Sequence, residues 1–264
     1  MGAAVTEHLE GRGVLYPDRL PSFHRVPAPD PVSALVRWFW IPRWHLAPGR
    51  SSRQEVLPFP ASNLVIEPDG VSLVGPATGA SHRDLTGEGW AVGALLRPAA
   101  LALLIDDPRE IRNTTIPYDA PDLHRAVSSA MHDADETRAR EEAVRLFTEW
   151  ALRHLPTPDE RGLLANRMEA LIASDCSVVH LAQVAEQLGM SIRGAQRLAE
   201  RYVGIPPLAI IRRYRLQEAA ERIREDPDLS IARIAAELGY ADHAHLTADF
   251  RRVLEYTPTS YRRT

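Results

Sequence analysis

Leu181-Ala-Gln-Val-Ala-Glu-Gln-Leu-Gly189 and Ile231-Ala-Arg-Ile-Ala-Ala-Glu-Leu-Gly239 are two copies of one pattern, set 50 residues apart. Each has apolar residues at its first, fourth and eighth positions, alanine at its second and fifth, and glycine at its end. Apolar residues at that spacing share one face of a helix. A small side chain at the fifth position lets a second helix cross closely. A closing glycine accepts the left-handed backbone of a tight turn. Helix, tight turn and crossing helix make a helix-turn-helix unit, so the chain is predicted to carry two in tandem.

Past the turn one residue is inserted, and the copies align at an offset of 51: Ala195 with Leu246, Arg197 with Ala248, Ala199 with Phe250, Pro207 with Pro258. Ser191 and Asp242 stand where N-caps would start the second helix of each unit. Between the units, Pro207 to Arg224 reads as one helix of about five turns. Its apolar positions Leu208, Ile211, Leu216, Ala219, Ala220 and Ile223 can pack on both units. The second helix of such a unit reads base edges from its N-terminal, outward side chains. In the first unit these are Arg193, Gln196 and Arg197, with Arg201 further along. Arginine matches guanine in bidentate fashion, and glutamine matches adenine. The second unit offers His243, Ala244, Thr247 and Ala248, a face poor in donors, with Arg251 and Arg252 placed for phosphates. His243 and His245 are two apart and point to different sides of a helix, so no metal pair is expected there.

The stretch 178–263 resembles the DNA-binding domain of the AraC/XylS family. The likeness rests on Gly204-Ile-Pro-Pro, Arg215-Leu-Gln-Glu-Ala219, Ile231-Ala-x-Ile-Ala-x-x-Leu-Gly-Tyr240, Phe250-Arg-Arg and Thr257-Pro-x-x-Tyr-Arg262. The N-terminal part resembles a companion domain of some members through Gln54-x-Val-Leu-Pro, Leu64-Val-Ile, Val74-Gly-Pro and Val92-Gly-x-x-x-Arg-Pro98. The resemblance implies a transcription regulator that binds double-stranded DNA. Two positions depart from the family pattern: Ala248 stands where relatives usually have arginine, and Glu255 where they have glycine. The first unit keeps both, as Arg197 and Gly204. Ala248 removes a DNA contact, and Glu255 should cost about 1 kcal/mol if its backbone is left-handed.

From Ala34 to about Arg97 the chain reads as short strands. Ala34-Leu-Val-Arg-Trp-Phe-Trp-Ile41, Gln54 to Phe59, Leu64 to Ile66, Gly70 to Val74 and Gly89 to Leu96 are bounded by Pro, Gly or Asn. Closely spaced strands of that kind predict an antiparallel sandwich or cupin-like barrel. Helical periodicity follows at Ala99–Ile105, Asp122–His132 and Glu136–His154, with Glu141 and Arg145 as an i,i+4 pair. Leu155-Pro-Thr-Pro-Asp-Glu-Arg161 reads as a linker, because two prolines interrupt helix. The expected organisation is α+β: a β-rich sensor or dimerisation domain with trailing helices over 1–155, a linker over 156–162, and an all-α tandem helix-turn-helix domain over 163–264. Trp38, Trp40 and Trp44 are candidates to line an effector pocket, weighed against ordinary core packing; Trp38 and Trp40 alternate and share a strand face. The 136–154 helix is a candidate dimer surface.

Of 264 residues, 45% are hydrophobic and 25% charged, as in soluble globular proteins. All 31 basic residues are arginine, and the net charge is −4. Residues 167–264 hold 14 Arg against 13 Asp and Glu, so a DNA footprint needs arginines gathered on one face. A single cysteine, Cys176, forms no intramolecular disulfide and reads as a small packing residue rather than a redox sensor. Met1 to Gly13 does not read as a signal peptide, and Leu95 to Ile105 is far too short to cross a bilayer. No nucleophile elbow, phosphate loop or zinc pattern is evident, so neither an enzyme nor a cofactor is expected. The expected partners are double-stranded DNA, a small-molecule effector, RNA polymerase and a second copy of the chain, in the cytoplasm and without a membrane. A DNA-binding protein whose N-terminal domain only oligomerises, or an enzyme fused to a DNA-binding domain, are the alternatives.

Overall fold

The computed structural model describes residues 22–56 and 58–263. The expectation for Met1 to Gly13 lies outside them. Eight strands come first: β1 (Phe23–Pro27), β2 (Val36–His45), β3 (Ser51–Val56), β4 (Asn63–Glu67), β5 (Gly70–Val74), β6 (Ser81–Thr86), β7 (Glu88–Trp90) and β8 (Val92–Leu96). Helix α1 (Pro98–Leu104) and strand β9 (Thr115–Pro117) follow. The main sheet runs β1-β2-β8-β4-β5-β9, with β7 also on β2, while β3 and β6 form a separate ribbon. Every pairing is antiparallel. β4 and β5 are joined through Pro68-Asp69, since Glu67 pairs with Gly70, and a two-residue loop fixes the register of a hairpin. The β-rich expectation holds, as a sheet whose path has edges at β1 and β9.

Each face of the sheet is covered by helix. Helices α2 (Pro121–Met131) and α3 (Glu136–His154) cover one face. Asp135 caps α3 by accepting from the backbone of Thr137 and Arg138. Ala139, Ala143, Phe147 and Trp150 of α3 pack with Phe39, Ile41, Leu64 and Ile66. Phe39 meets Phe147 edge to face at 5.1 Å. Arg145 pairs with Glu142 and Glu149, not with Glu141 as expected: its fork reaches carboxylates three residues before and four after it.

The rest of the chain is helical: α4 (Glu160–Ser174), α5 (Leu181–Gln187), α6 (Ile192–Tyr202), α7 (Pro207–Glu225), α8 (Ile231–Glu237), α9 (His243–Leu254) and α10 (Pro258–Arg262). α4 starts inside the expected linker and docks at once on the β-rich domain. Asn166 accepts from the Ala99 backbone N–H at 2.9 Å and donates to the Ala34 carbonyl at 2.8 Å. Trp38 and Leu95, paired across β2 and β8, turn outward with Phe59 into one core with Met168, Ile172, Leu198, Ile205, Ile210 and Tyr214. This dual burial is why all five residues of β8 are buried. Burying each large apolar side chain contributes about 1.5–3 kcal/mol, so the first helix-turn-helix is part of a common core with the sheet. The second has its own core, with Leu216, Ile223, Ile234, Leu238, Leu246, Phe250 and Tyr261.

Candidate nucleic-acid interface

The two units are built alike. The fifth-position alanines Ala185 and Ala235 are buried where α5 meets α6 and α8 meets α9. Gly189 and Gly239 take φ of 63° and 68°, the left-handed turn expected from their position. Gly239 has a second constraint, because a Cβ there would lie 2.7 Å from Val179 Cγ1. Ser191 caps α6 by accepting from Gly194 N at 3.1 Å, and Asp242 caps α9 by accepting from His245 N at 2.7 Å. Ala195, Ala199, Leu246 and Phe250 are buried, which turns the intervening positions outward.

On α6 the outward set is Arg193, Gln196 and Arg197, all exposed and without a recorded partner among the described residues. Two guanidiniums and an amide stand on one side of one helix. Ile192 is 50% exposed at the first position of α6 and belongs to the same end. Composition hides it, since an isoleucine in a sequence is read as core. Arg201 points elsewhere, and its guanidinium donates to the Asp106 carbonyl of the β-rich domain.

On α9 the outward residues His243, Ala244, Thr247, Ala248, Arg251 and Arg252 line, with Thr257, an open depression of about 570 Å³. Arg252 donates to the buried carboxylate of Asp249, which Arg212 also approaches at 3.9 Å. Arg251 is exposed and has no recorded partner among the described residues. His245 leans edge-on to the Tyr240 ring at 5.3 Å between centroids. Several other arginines of this half are also engaged: Arg213 with Thr78 O, Arg222 with Glu218 and Glu237, Arg262 with Leu229 O. Arg215 lies 3.9 Å over the Tyr240 ring, and burial pushes that phenol up to about 12. Arg193 and Arg197 on α6 and Arg251 on α9 are thus left as exposed cations in a half whose overall charge is near neutral.

The three tryptophans pack protein. Trp38 and Trp40 share a face, as their alternation requires, and that face is turned to the helical half. Trp38 is 3% exposed, edge-on to Phe59 at 5.3 Å, with the guanidiniums of Arg25 and Arg37 at 4.7 and 4.8 Å from its ring. Trp40 donates to Asn63 Oδ1 at 2.9 Å, and its indole lies on Gly93, the residue opposite it. Trp44 lies in the same way on Gly89 and donates to Thr86 O at 3.2 Å. The thiol of Cys176 is exposed rather than packed, with Arg222 Nη2 at 4.0 Å. Behind Trp38 lies a buried polar knot. Arg37 and the Tyr214 hydroxyl both donate to Glu169, Arg37 donates to Tyr214 at 2.8 Å, and Arg97 stands 3.6 Å from the same carboxylate. Burial works against the Arg37 charge, but Tyr214 and Glu169 more than offset it and raise its pKa.

Two family models match the chain. One, described as a helix-turn-helix domain, covers residues 184–264; the other, a domain of unknown function (DUF6597), covers 24–117. The HTH-type transcriptional activator RhaS of Pectobacterium atrosepticum is 28% identical over 145 residues, 53% of this chain and 52% of that protein. An uncharacterised HTH-type transcriptional regulator of Haemophilus influenzae is 31% identical over 84 residues, 32% of this chain and 28% of that protein. The chain therefore spans about half, or less, of the length of these relatives. A crystal structure of ToxT from Vibrio cholerae aligns with 12% identity and a TM-score of 0.43, over 91% of this chain and 95% of that one. Among the described residues, no helix is long and apolar enough to cross a membrane.

Proposed function

We propose that this chain is a transcription regulator of the AraC family, on the strength of its helix-turn-helix match and its likeness to RhaS, and that it binds double-stranded DNA sequence-specifically through α6 and α9 in successive major grooves. The observation that carries this reading is the exposed triad Arg193, Gln196 and Arg197 at the capped start of α6. Its side chains have the donor and acceptor pattern that base edges require. Arg251 supplies a phosphate contact beside the second unit, and neutralising phosphates positions a protein without reading sequence. The β-rich domain acts as the regulatory half, in the cytoplasm, and a small-molecule effector would act through it. Support for that part comes from the shared core, in which Trp38, Phe59 and Leu95 of the β-rich domain pack with residues of α4, α6 and α7. A domain so nearly neutral binds nonspecific DNA weakly, which favours action as a homodimer. Contact with RNA polymerase is the expected route to activation.

In-vitro selection of duplexes by the full chain, followed by gel shifts at fixed salt, tests the DNA reading. Arg197→Ala should cost about 1–3 kcal/mol and relax preference at one or two base pairs. Equal affinity and equal base preference in the variant would sink it. A thermal-shift screen with small metabolites separates an effector-responsive domain from one that only oligomerises.

A further inference from the structure

The C-terminal ends of both recognition helices are held by the β-rich domain, through two loops that are themselves locked together. The first loop, 105–114, joins α1 to β9. Arg112 donates from Nε and Nη2 to the Gly204 carbonyl, just past α6, at 3.1 and 2.6 Å. Arg201 of α6 donates back to Asp106 O. Pro108 O sits 2.5 Å from where a Cβ on Gly204 would be. The second loop, 75–80, joins β5 to β6. Its Ala80 N–H donates to Val253 O, in the last turn of α9, at 2.8 Å. Its Thr78 carbonyl accepts from Arg213 of α7.

Asn113 ties the loops to each other. Its Oδ1 accepts from the Thr78 backbone N–H at 2.6 Å and the Thr78 hydroxyl at 2.9 Å. Its own N–H donates to Pro76 O at 3.2 Å, and next to it Gly75 N–H donates to Thr114 O at 2.9 Å. The contact is so close that a Cβ on Gly75 would meet Ile111 O at 1.7 Å. Asn113 holds φ at 60°, a left-handed conformation that asparagine tolerates better than most non-glycine residues. A residue in that state persists where its surroundings over-determine it.

We propose that Asn113 is a positioning residue: it joins the two loops into a clasp that fixes the separation and rotation of α6 relative to α9. On this view the β-rich domain, and not α7 alone, sets the half-site spacing that the protein accepts. The second unit has a separate core, so its placement depends on contacts such as those of the clasp, of α7 and of Val179 against Gly239. The clasp grips the ends of the helices away from Arg193, Gln196, Arg197 and Thr247, so it orients the reading faces without covering them. The spacing claim rests on the DNA-binding reading above; the clasp itself does not.

Two measurements on the full chain separate the two. With Cys176 replaced by Ser, nitroxides at Glu200→Cys and Ala248→Cys report the distance between α6 and α9 by pulsed electron double resonance, without DNA. A narrow distribution is expected, broadened by Asn113→Gly, which keeps the left-handed backbone but removes the amide. Asn113→Asp, which keeps the acceptor oxygen, should restore the narrow distribution. Equal widths for the parent and Asn113→Gly overturn the clasp. On selected duplexes whose half-sites are moved apart by single base pairs, each step shifts them by about 3.4 Å and about 34°. The parent should lose about tenfold in affinity per step and Asn113→Gly under about threefold. Identical spacing profiles overturn the spacing claim, whereas a parent protein that selects no sequence overturns the DNA reading and leaves the distance result to judge the clasp. Should Asn113→Gly melt too low to handle, Arg112→Ala together with Arg201→Ala cuts the side-chain ties between α6 and the first loop while leaving the Asn113–Thr78 link, and the same distance comparison applies.

Discussion

Glu255 and Gly204 occupy equivalent turns, after α9 and α6, and both are left-handed, with φ of 63° and 79°. The expectation that Glu255 sits where glycine is cheap is therefore met. The structure also says why only one unit tolerates the change. Pro108 lies against Gly204, whereas the Glu255 side chain is exposed. Glu255→Gly should stabilise the protein by about 0.5–1 kcal/mol, by relieving the backbone at some cost in unfolded-state entropy. Gly204→Ala should destabilise by about 2 kcal/mol or more, because left-handed strain and a backbone clash add. Urea unfolding of both variants checks this pair, and a similar effect of the two substitutions would refute the distinction.

At the scale of the element, α6 and α9 share a scaffold but not a surface. α6 presents two arginines and a glutamine, while α9 presents His243, Thr247 and two alanines around its shallow depression. Of its two arginines, Arg252 is tied to Asp249. Base discrimination should therefore be sharp in the half-site under α6 and shallow in the one about ten base pairs away. Scrambling each half-site in turn at fixed salt measures the difference. Ala248→Arg should tighten binding and add preference in the shallow half, by about 1–3 kcal/mol. Equal losses from the two scrambles would mean that α9 reads bases through other contacts.

For the whole molecule, the decisive feature is the face between sheet and helices, with a charged knot in its apolar surround. The Glu169 side chain is 3% exposed and holds Arg37, Arg97 and Tyr214. Glu169→Ala would leave two partly buried guanidiniums, Arg37 and Arg97, with no carboxylate between them, at a cost of about 3 kcal/mol. A single cooperative melt shifted downward is expected, since the core is common to both halves; loss of the helical half's transition alone would contradict it. Burial raises Tyr214 well above the ordinary tyrosine value of 10.0, and Tyr240 to about 12. A raised pKa in the folded state means that the stabilisation is complete below pH 10 and fades as pH climbs through the folded values. The melting temperature should hold from neutral pH to about 10 and fall above it.

The sequence by itself determined the tandem units, their caps, their turns and the residues that face outward. Those features are local: period 3.6, a capping side chain and a left-handed glycine act within a dozen residues, and two copies of one pattern confirm each other. It likewise marked the β-rich first half, whose strands are short and bounded by turn residues. Tertiary structure alone decided what those parts do to one another. Trp38 and Leu95 are as apolar as Phe39 and Leu96, and nothing in the alternation of β2 and β8 says that the outer face also meets a helix. Arg201 and Arg252 look like Arg197 in the chain, yet a carbonyl at Asp106 and a carboxylate at Asp249 engage them. Asn113, Thr78 and Arg112 lie in loops with no periodicity to mark them, and their partners are 35 to 135 residues away. Contacts at that separation depend on how the layers pack, and the physical reason they escape the sequence is that a hydrogen bond between distant loops leaves no local pattern.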